Sequence, residues 1–180
     1  GEIPHYDLLP STEELIKLAK EYEMPALALT DHGNMYGAIE FYQYCKKNEV
    51  KPIFGLEAYV ANRTRFDKQP GVDNKRYHLT LIAENYTGYK NLMKLVTIAH
   101  LEGFYYRPRI DKEVLSKHSK GLIALSGCSS SEIAKLIVEN DLEGAQKAAH
   151  LYKQIFGQGN FYLEVQRHEF NKFLPSHPQG

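Results

Sequence analysis

Ala26-Leu-Ala-Leu-Thr-Asp-His-Gly-Asn-Met35 is the stretch from which the rest of this chain can be read, because a short apolar run delivers an acid, a histidine and a glycine where it ends. The run Ala26–Thr30 predicts a buried strand. Its tip admits two readings. Asp31-His32 beside Gly33 suits a metal or phosphate site; equally, Asp31 can cap a following helix while Gly33 supplies a positive φ.

Working outward, apolar runs alternate with segments of helical period. Ser11-Thr-Glu-Glu14 is a capping box, and Leu15, Leu18 and Ala19 continue it as an apolar stripe, which predicts a helix to about Tyr22. Tyr36–Lys47 reads as a helix, and its Lys46-Lys47 as a solvated end near the negative pole of the helix dipole. Pro52–Ala61 reads as a strand whose alternation puts Glu57 on the face opposite Leu56 and Ala58. Asn62–Lys75 is polar, carries Pro70-Gly71, and is expected to be a mobile loop. His78–Ala83 follows as a strand, Thr87 as the cap of a helix to about Leu101, and Gly121–Ser126 as a strand. Helices over Ser130–Glu139 and Leu142–Phe156 and a strand over Phe161–Val165 complete the pattern. The order predicts an α/β architecture with a largely parallel sheet, open or closed into a barrel.

Composition limits what such a domain does. At 180 residues, 43% hydrophobic, the chain can bury one core and is read as one domain. Lys+Arg and Asp+Glu number 22 each, so no overall basic field draws it to nucleic acid, and such a role would need a local patch or another domain. Cys45 and Cys128 lie far apart, with no CxxC pair, signal peptide or membrane-length apolar run, which leads us to expect a reduced, cytoplasmic protein with no membrane partner.

In parallel sheets chemistry gathers at the carboxyl ends of strands, and both Asp31-His32 and Ser126-Gly127-Cys128 follow apolar runs directly. Glu57 and His78 lie inside strands, where each either faces a polar interior or serves as a structural hydrogen-bonding group. Together His32, Glu57, His78 and Cys128 offer a mixed nitrogen, oxygen and sulfur donor set suited to Zn²⁺, or without the thiol to Mn²⁺ or iron. Arg107 and Arg109 beside Tyr105 and Tyr106 are candidates for nucleic-acid contact, or alternatively close a barrel rim. His100, His118 and His150 fall on predicted helices as surface or packing residues. Ser126 and Ser129–Ser131 form no Ser-His-Asp arrangement and are taken as caps.

Several stretches, in order, carry a family resemblance: Thr30-Asp-His-Gly-Asn-Met-Tyr-Gly-Ala-Ile-Glu-Phe-Tyr42, Lys51-Pro-Ile-Phe-Gly-Leu-Glu-Ala-Tyr-Val-Ala61, Tyr77-His-Leu-Thr-Leu-Ile-Ala83, Gly88-Tyr-Lys-Asn-Leu-Met-Lys-Leu95, Leu101-Glu-Gly-Phe-Tyr-Tyr-Arg-Pro-Arg-Ile-Asp111 and Gly121-Leu-Ile-Ala-Leu-Ser-Gly-Cys128. They resemble the amino-terminal PHP (polymerase and histidinol phosphatase) domain of bacterial replicative polymerases, the DNA polymerase III alpha subunits, over roughly residues 5–168. The resemblance implies a distorted (β/α)7-type barrel, here incomplete at both ends, at the head of a much longer DNA-directed DNA polymerase, a nucleotidyltransferase. The rest of that polymerase, and through it DNA, are the implied partners. It also implies a multinuclear metal cluster in which His32, Glu57 and His78 match ligand positions, Cys128 matches another, and Asp31 orients its neighbour from behind.

The chain departs from the family where that cluster needs its earliest ligands. In place of His-x-His-x-x-Tyr-Ser-Leu-Leu-Asp-Gly it reads Gly1-Glu-Ile-Pro-His-Tyr-Asp-Leu-Leu-Pro10, with His5 the one imidazole there, and a late Asp-x-His is absent. Either the ends of a fragment are lost or altered, or the cluster has decayed. A phosphoesterase using several ions needs them a few ångströms apart. The expectation is therefore a structural or vestigial metal-binding module that neither polymerises DNA nor hydrolyses phosphate esters. The alternative is a stand-alone metal-dependent phosphoesterase.

Overall fold

β2, Lys51–Ala61, organises the molecule, because its length lets three other strands pair along it. A computed structural model of the chain describes residues 11–166. Helix α1 (Thr12–Glu21) starts at the anticipated box: Ser11 Oγ accepts from Glu14 N–H, and Glu14 Oε2 accepts from Ser11 N–H at 2.7 Å. Strand β1 (Ala26–Leu29) runs parallel to the first half of β2, and helix α2 (Ala38–Asn48) connects the two. Strand β3 (Arg76–Ala83) pairs antiparallel with the second half of β2. Helix α3 (Tyr86–Leu101) leads to the two-residue strand β4 (Arg109–Ile110), parallel to the end of β2. Helix α4 (Lys112–Lys117) precedes β5 (Leu122–Leu125), antiparallel to β3; helices α5 (Glu132–Val138) and α6 (Leu142–Phe156) precede β6 (Phe161–Tyr162), parallel to β5.

The sheet is therefore mixed, in the order β1-β2-β3-β5-β6 with β4 beside β2, and not largely parallel as expected. The reason lies in the connection between β2 and β3. A parallel return needs a crossover, usually a helix; residues 62–75 hold none, so the chain doubles back. Among the described residues β1 and β6 do not pair, so the six strands form a sheet whose closure is not seen.

Alternation decides which side is core. Leu56, Ala58 and Val60 of β2, Leu79 and Leu81 of β3, and Leu122 and Ala124 of β5 are all buried in one cluster with Leu92 and Leu95 of α3 and Tyr152 and Phe156 of α6. A second cluster joins Ile16 of α1 to Phe41 and Cys45 of α2. The opposite face of β2 and β3 carries Glu57, Tyr59, His78 and Thr80, paired as Glu57↔Thr80 and Tyr59↔His78. That face holds the candidate site.

Several boundaries differ from the sequence reading. Helix α3 is capped by Asn85, whose side chain accepts from Gly88 N–H, two residues before the expected Thr87. β4 and α4 were not foreseen, although Asp111 is a regular N-cap accepting from Val114 N–H. The segment 62–75, expected to be mobile, is pinned at both ends by buried charges. Arg63 grips Asp73 through Nε at 2.9 Å and Nη2 at 2.5 Å, and Asp73 also accepts from Gln69 N–H. Hydrogen bonding from Arg63 holds the Asp73 carboxyl below its ordinary range despite burial. Arg65 donates to Asp111, Glu102 and Glu113 at 2.7–3.2 Å. Burial pulls the pKa of that guanidinium down, but the bonds to Glu113, Glu102 and Asp111 outweigh it and the net shift is upward.

Candidate metal centre

The register of the sheet assembles the site. β1 continues in step beyond its last residue: Glu57 N–H donates to Asp31 carbonyl oxygen at 3.0 Å and Gly33 N–H to Glu57 carbonyl oxygen at 2.9 Å, which sets His32 beside Glu57. His78 lies diagonally across from Glu57 on β3. The Glu57 carboxylate then spans the two imidazoles, Oε2 at 3.1 Å from His32 Nδ1 and Oε1 at 2.6 Å from His78 Nδ1. From the far side Cys128 Sγ stands 3.6 Å from the same His78 nitrogen and accepts from Ser130 N–H at 3.4 Å.

Local backbone chemistry holds each donor. Gly33 has φ +68, and a Cβ there would meet Pro108 Cγ and Tyr59 Cε2 at 2.9 Å, so the turn carrying His32 presses flat onto Tyr59. The ring Nε2 of His100, on α3, lies 3.0 Å from Gly33 carbonyl oxygen and ties the turn to that helix. Gly127, with φ +90, lets the turn after β5 close on β3, where His78 N–H donates to Ser130 carbonyl oxygen at 3.1 Å. Gly33→Ala is expected to lower stability by about 1–3 kcal/mol, since alanine in that conformation is strained before the clash is counted. Thermal denaturation of the variant checks this; an unchanged midpoint would mean the turn relaxes freely.

All four residues read as ligands are thus brought together. Glu57, His78 and Cys128 place one oxygen, one nitrogen and one sulfur within 4.8 Å of one another. His32 sits at the mouth, its side chain 63% exposed, with its ring 6.0 Å from that of His78. Burial pushes the His78 pKa down against the upward pull of Glu57, which favours the neutral imidazole a metal requires. The Glu57, His78 and Cys128 donors are of types that could hold a metal ion, with His32 joined to them through Glu57. Asp31 Oδ2 accepts from Gly37 N–H at 3.3 Å; Gly37 is itself the N-cap of α2, which has no side-chain cap, so Asp31 does not cap that helix as the sequence allowed. Beside the triad opens a cavity of about 340 Å³ lined by Thr30, Thr80, Leu125 and Glu164. Glu164 went unnoticed in the sequence, where no motif surrounds it; its N–H donates to Ser126 Oγ at 2.8 Å.

The remaining candidates separate. Arg109 is fully buried, so its expected contact with nucleic acid is corrected: Nε donates to Gly103, Nη1 to Asp73 and Nη2 to Arg65 and Asp67 carbonyl oxygens at 2.8–3.0 Å. Arg107 is exposed beside Tyr106. His150 faces solvent, bonding back to Gln146, while His118 caps the carboxyl end of α4. The early segment with His5 lies outside the described residues.

With this geometry in hand, comparison with known proteins is direct. The model of the PHP domain family matches residues 7–168. The chain belongs to the PHP family. Among the relatives of this PHP domain, DNA polymerase III subunit alpha of Borreliella burgdorferi is 51% identical over 156 residues, covering 86% of this chain and 14% of that protein. The same subunit of Thermus aquaticus is 49% identical over 160 residues, covering 87% and 13%, and that of Chlamydia trachomatis 46% identical over 168 residues, covering 91% and 13%. The PHP domain described here thus spans about one seventh of the length of the curated relatives it matches. Among the described residues no helix is long and apolar enough to cross a membrane.

Proposed function

We propose that this PHP domain serves a cytoplasmic bacterial replicative polymerase as a structural module that holds one metal ion, Zn²⁺ before Mn²⁺, and does not hydrolyse phosphate esters. The observation that carries it is the Glu57 carboxylate spanning His32 and His78 with Cys128 on the far side. Glu57, His78 and Cys128 would hold the ion, which would supply Lewis-acid polarisation there. Around it, Glu57 holds both imidazoles through their Nδ1 atoms, and Ser130 N–H fixes Cys128 Sγ beside His78. Among the described residues this is the one group of three such donors, which supports a single ion over a cluster able to share a phosphate. The six strands are taken as part of a PHP barrel, with DNA synthesis and DNA binding by the longer chain following from the relatives.

Elemental analysis is expected to give about one zinc per chain, and assay with 4-nitrophenyl phosphate and Mn²⁺ or Zn²⁺ no turnover above background. Metal-stimulated turnover abolished by His32→Ala would instead establish a phosphoesterase.

A further inference from the structure

We propose that the exposed face of α3, with the turn that follows α4, binds the phosphodiester backbone of duplex DNA. The surface shares no residue with the metal centre. The chain is neutral overall, yet its charges are not evenly spread. A shallow depression of about 400 Å³ is lined by Lys90, Lys94, Thr97 and His118 with Met93 and Ile98, and none of these is acidic. Lys90 and Lys94 stand one helical turn apart on one side of α3. Lys117 and Lys120 flank His118 on the adjoining turn, which Asn91 Nδ2 fastens to α3 by donating to Lys120 carbonyl oxygen at 2.8 Å.

The charges act on one another across this groove. The His118 pKa is pushed down by burial and then by Lys94 and Lys117, whose ammonium groups oppose a further proton. Lys117 is compensated by Glu113, but Lys90, Lys94 and Lys120 have no ion-pair partner among the described residues. Lys90 Nζ instead lies 5.0 Å over the ring of exposed Tyr86, which extends the row by an aromatic face. A small anion would need converging, enclosed donors. An open row of solvated lysines suits a charged polymer that gains by releasing counterions. A DNA duplex, with a phosphate at every nucleotide, is such a polymer.

The test measures fluorescence anisotropy of a labelled DNA duplex against salt concentration. Lys90→Ala, Lys94→Ala and Lys120→Ala combined are expected to weaken binding about tenfold near 50 mM salt and to flatten the dependence of log K on log[salt] by about 0.9 per lysine. All three side chains are exposed, so the variant keeps its fold. The control Lys17→Ala with Lys147→Ala, whose lysines are already paired to Glu13 and Glu143, should leave both quantities unchanged. No duplex binding by the wild-type chain, or an unchanged salt slope in the triple variant, overturns the proposal. Competition by polyglutamate of equal charge as effective as by DNA overturns it too, and would assign the surface to an acidic protein segment.

Discussion

Arg109→Met is expected to destabilise the fold by on the order of 4 kcal/mol, a large part of the 5–15 kcal/mol that a domain of this kind possesses. The side chain is completely buried and spends its guanidinium on four backbone carbonyls from Gly103, Arg65, Asp67 and Asp73. No other residue type can do this. Methionine fills much of the volume but leaves the Asp73, Arg65 and Asp67 carbonyls without donors, while Gly103 carbonyl oxygen keeps the backbone N–H of residue 109 at 3.3 Å; each buried acceptor left alone costs about 1–3 kcal/mol before water enters. Lysine brings one nitrogen with three N–H groups and cannot serve carbonyls spread around a planar fork, so Arg109→Lys should lose most of the same stability. Because three of the four carbonyls belong to 62–75, that segment should loosen first, and limited proteolysis should cut there before the variant unfolds globally. Arg107→Ala, at an exposed position, should stay within about 0.5 kcal/mol of wild type. Chemical denaturation of the three variants separates the arginines; a loss below about 1 kcal/mol for Arg109→Met would show that the carbonyls find water at no cost.

The same residue shows where the sequence stops being legible. An arginine beside tyrosines reads alike whether its guanidinium faces a phosphate or a ring of carbonyls, because the carbonyls belong to the backbone and leave no mark on composition. The Arg65 and Asp111 pair lies 46 residues apart in the chain, so 62–75 looked free by its polar content while its anchors were out of view. The two-residue β4 and the six-residue α4 are too short to show a period. Where a period or a local bond decides the structure, the reading succeeds. Alternation along β2 put Glu57 opposite Leu56 and Ala58, and Ser11 with Glu14 marked the start of α1. Strand direction depends on how β2 and β3 are connected, and the absence of a helix in 62–75 carried that information without being used. The grouping of His32, Glu57, His78 and Cys128 was open to donor chemistry only as a mixed set, since no spacing among them is a local metal motif, and the family resemblance matched the same residues to ligand positions.

Glu57→Gln and Glu57→Ala should differ in their cost to stability and agree on metal, and the pair tests whether the carboxylate is a ligand as well as a brace. Glutamine keeps the size of the side chain and an oxygen for one imidazole, so its cost to folding should be small. Alanine strips both imidazoles of their partner. A buried group left unpaired costs about 1–3 kcal/mol, and because His78 is partly exposed the lower end applies. Metal affinity follows charge and donor number instead. Loss of an outer partner of a ligand already weakens binding about 10–100-fold, so losing the anionic carboxylate donor, whether to a neutral amide or to a methyl group, should cost at least about a hundredfold in either variant. Competition against a chromophoric zinc chelator reads the affinity, and urea denaturation of the metal-free protein reads the fold. Equal zinc affinity in wild type and Glu57→Gln would make Glu57 a structural hydrogen-bonding residue and leave His78 and Cys128 without the oxygen that completes their set.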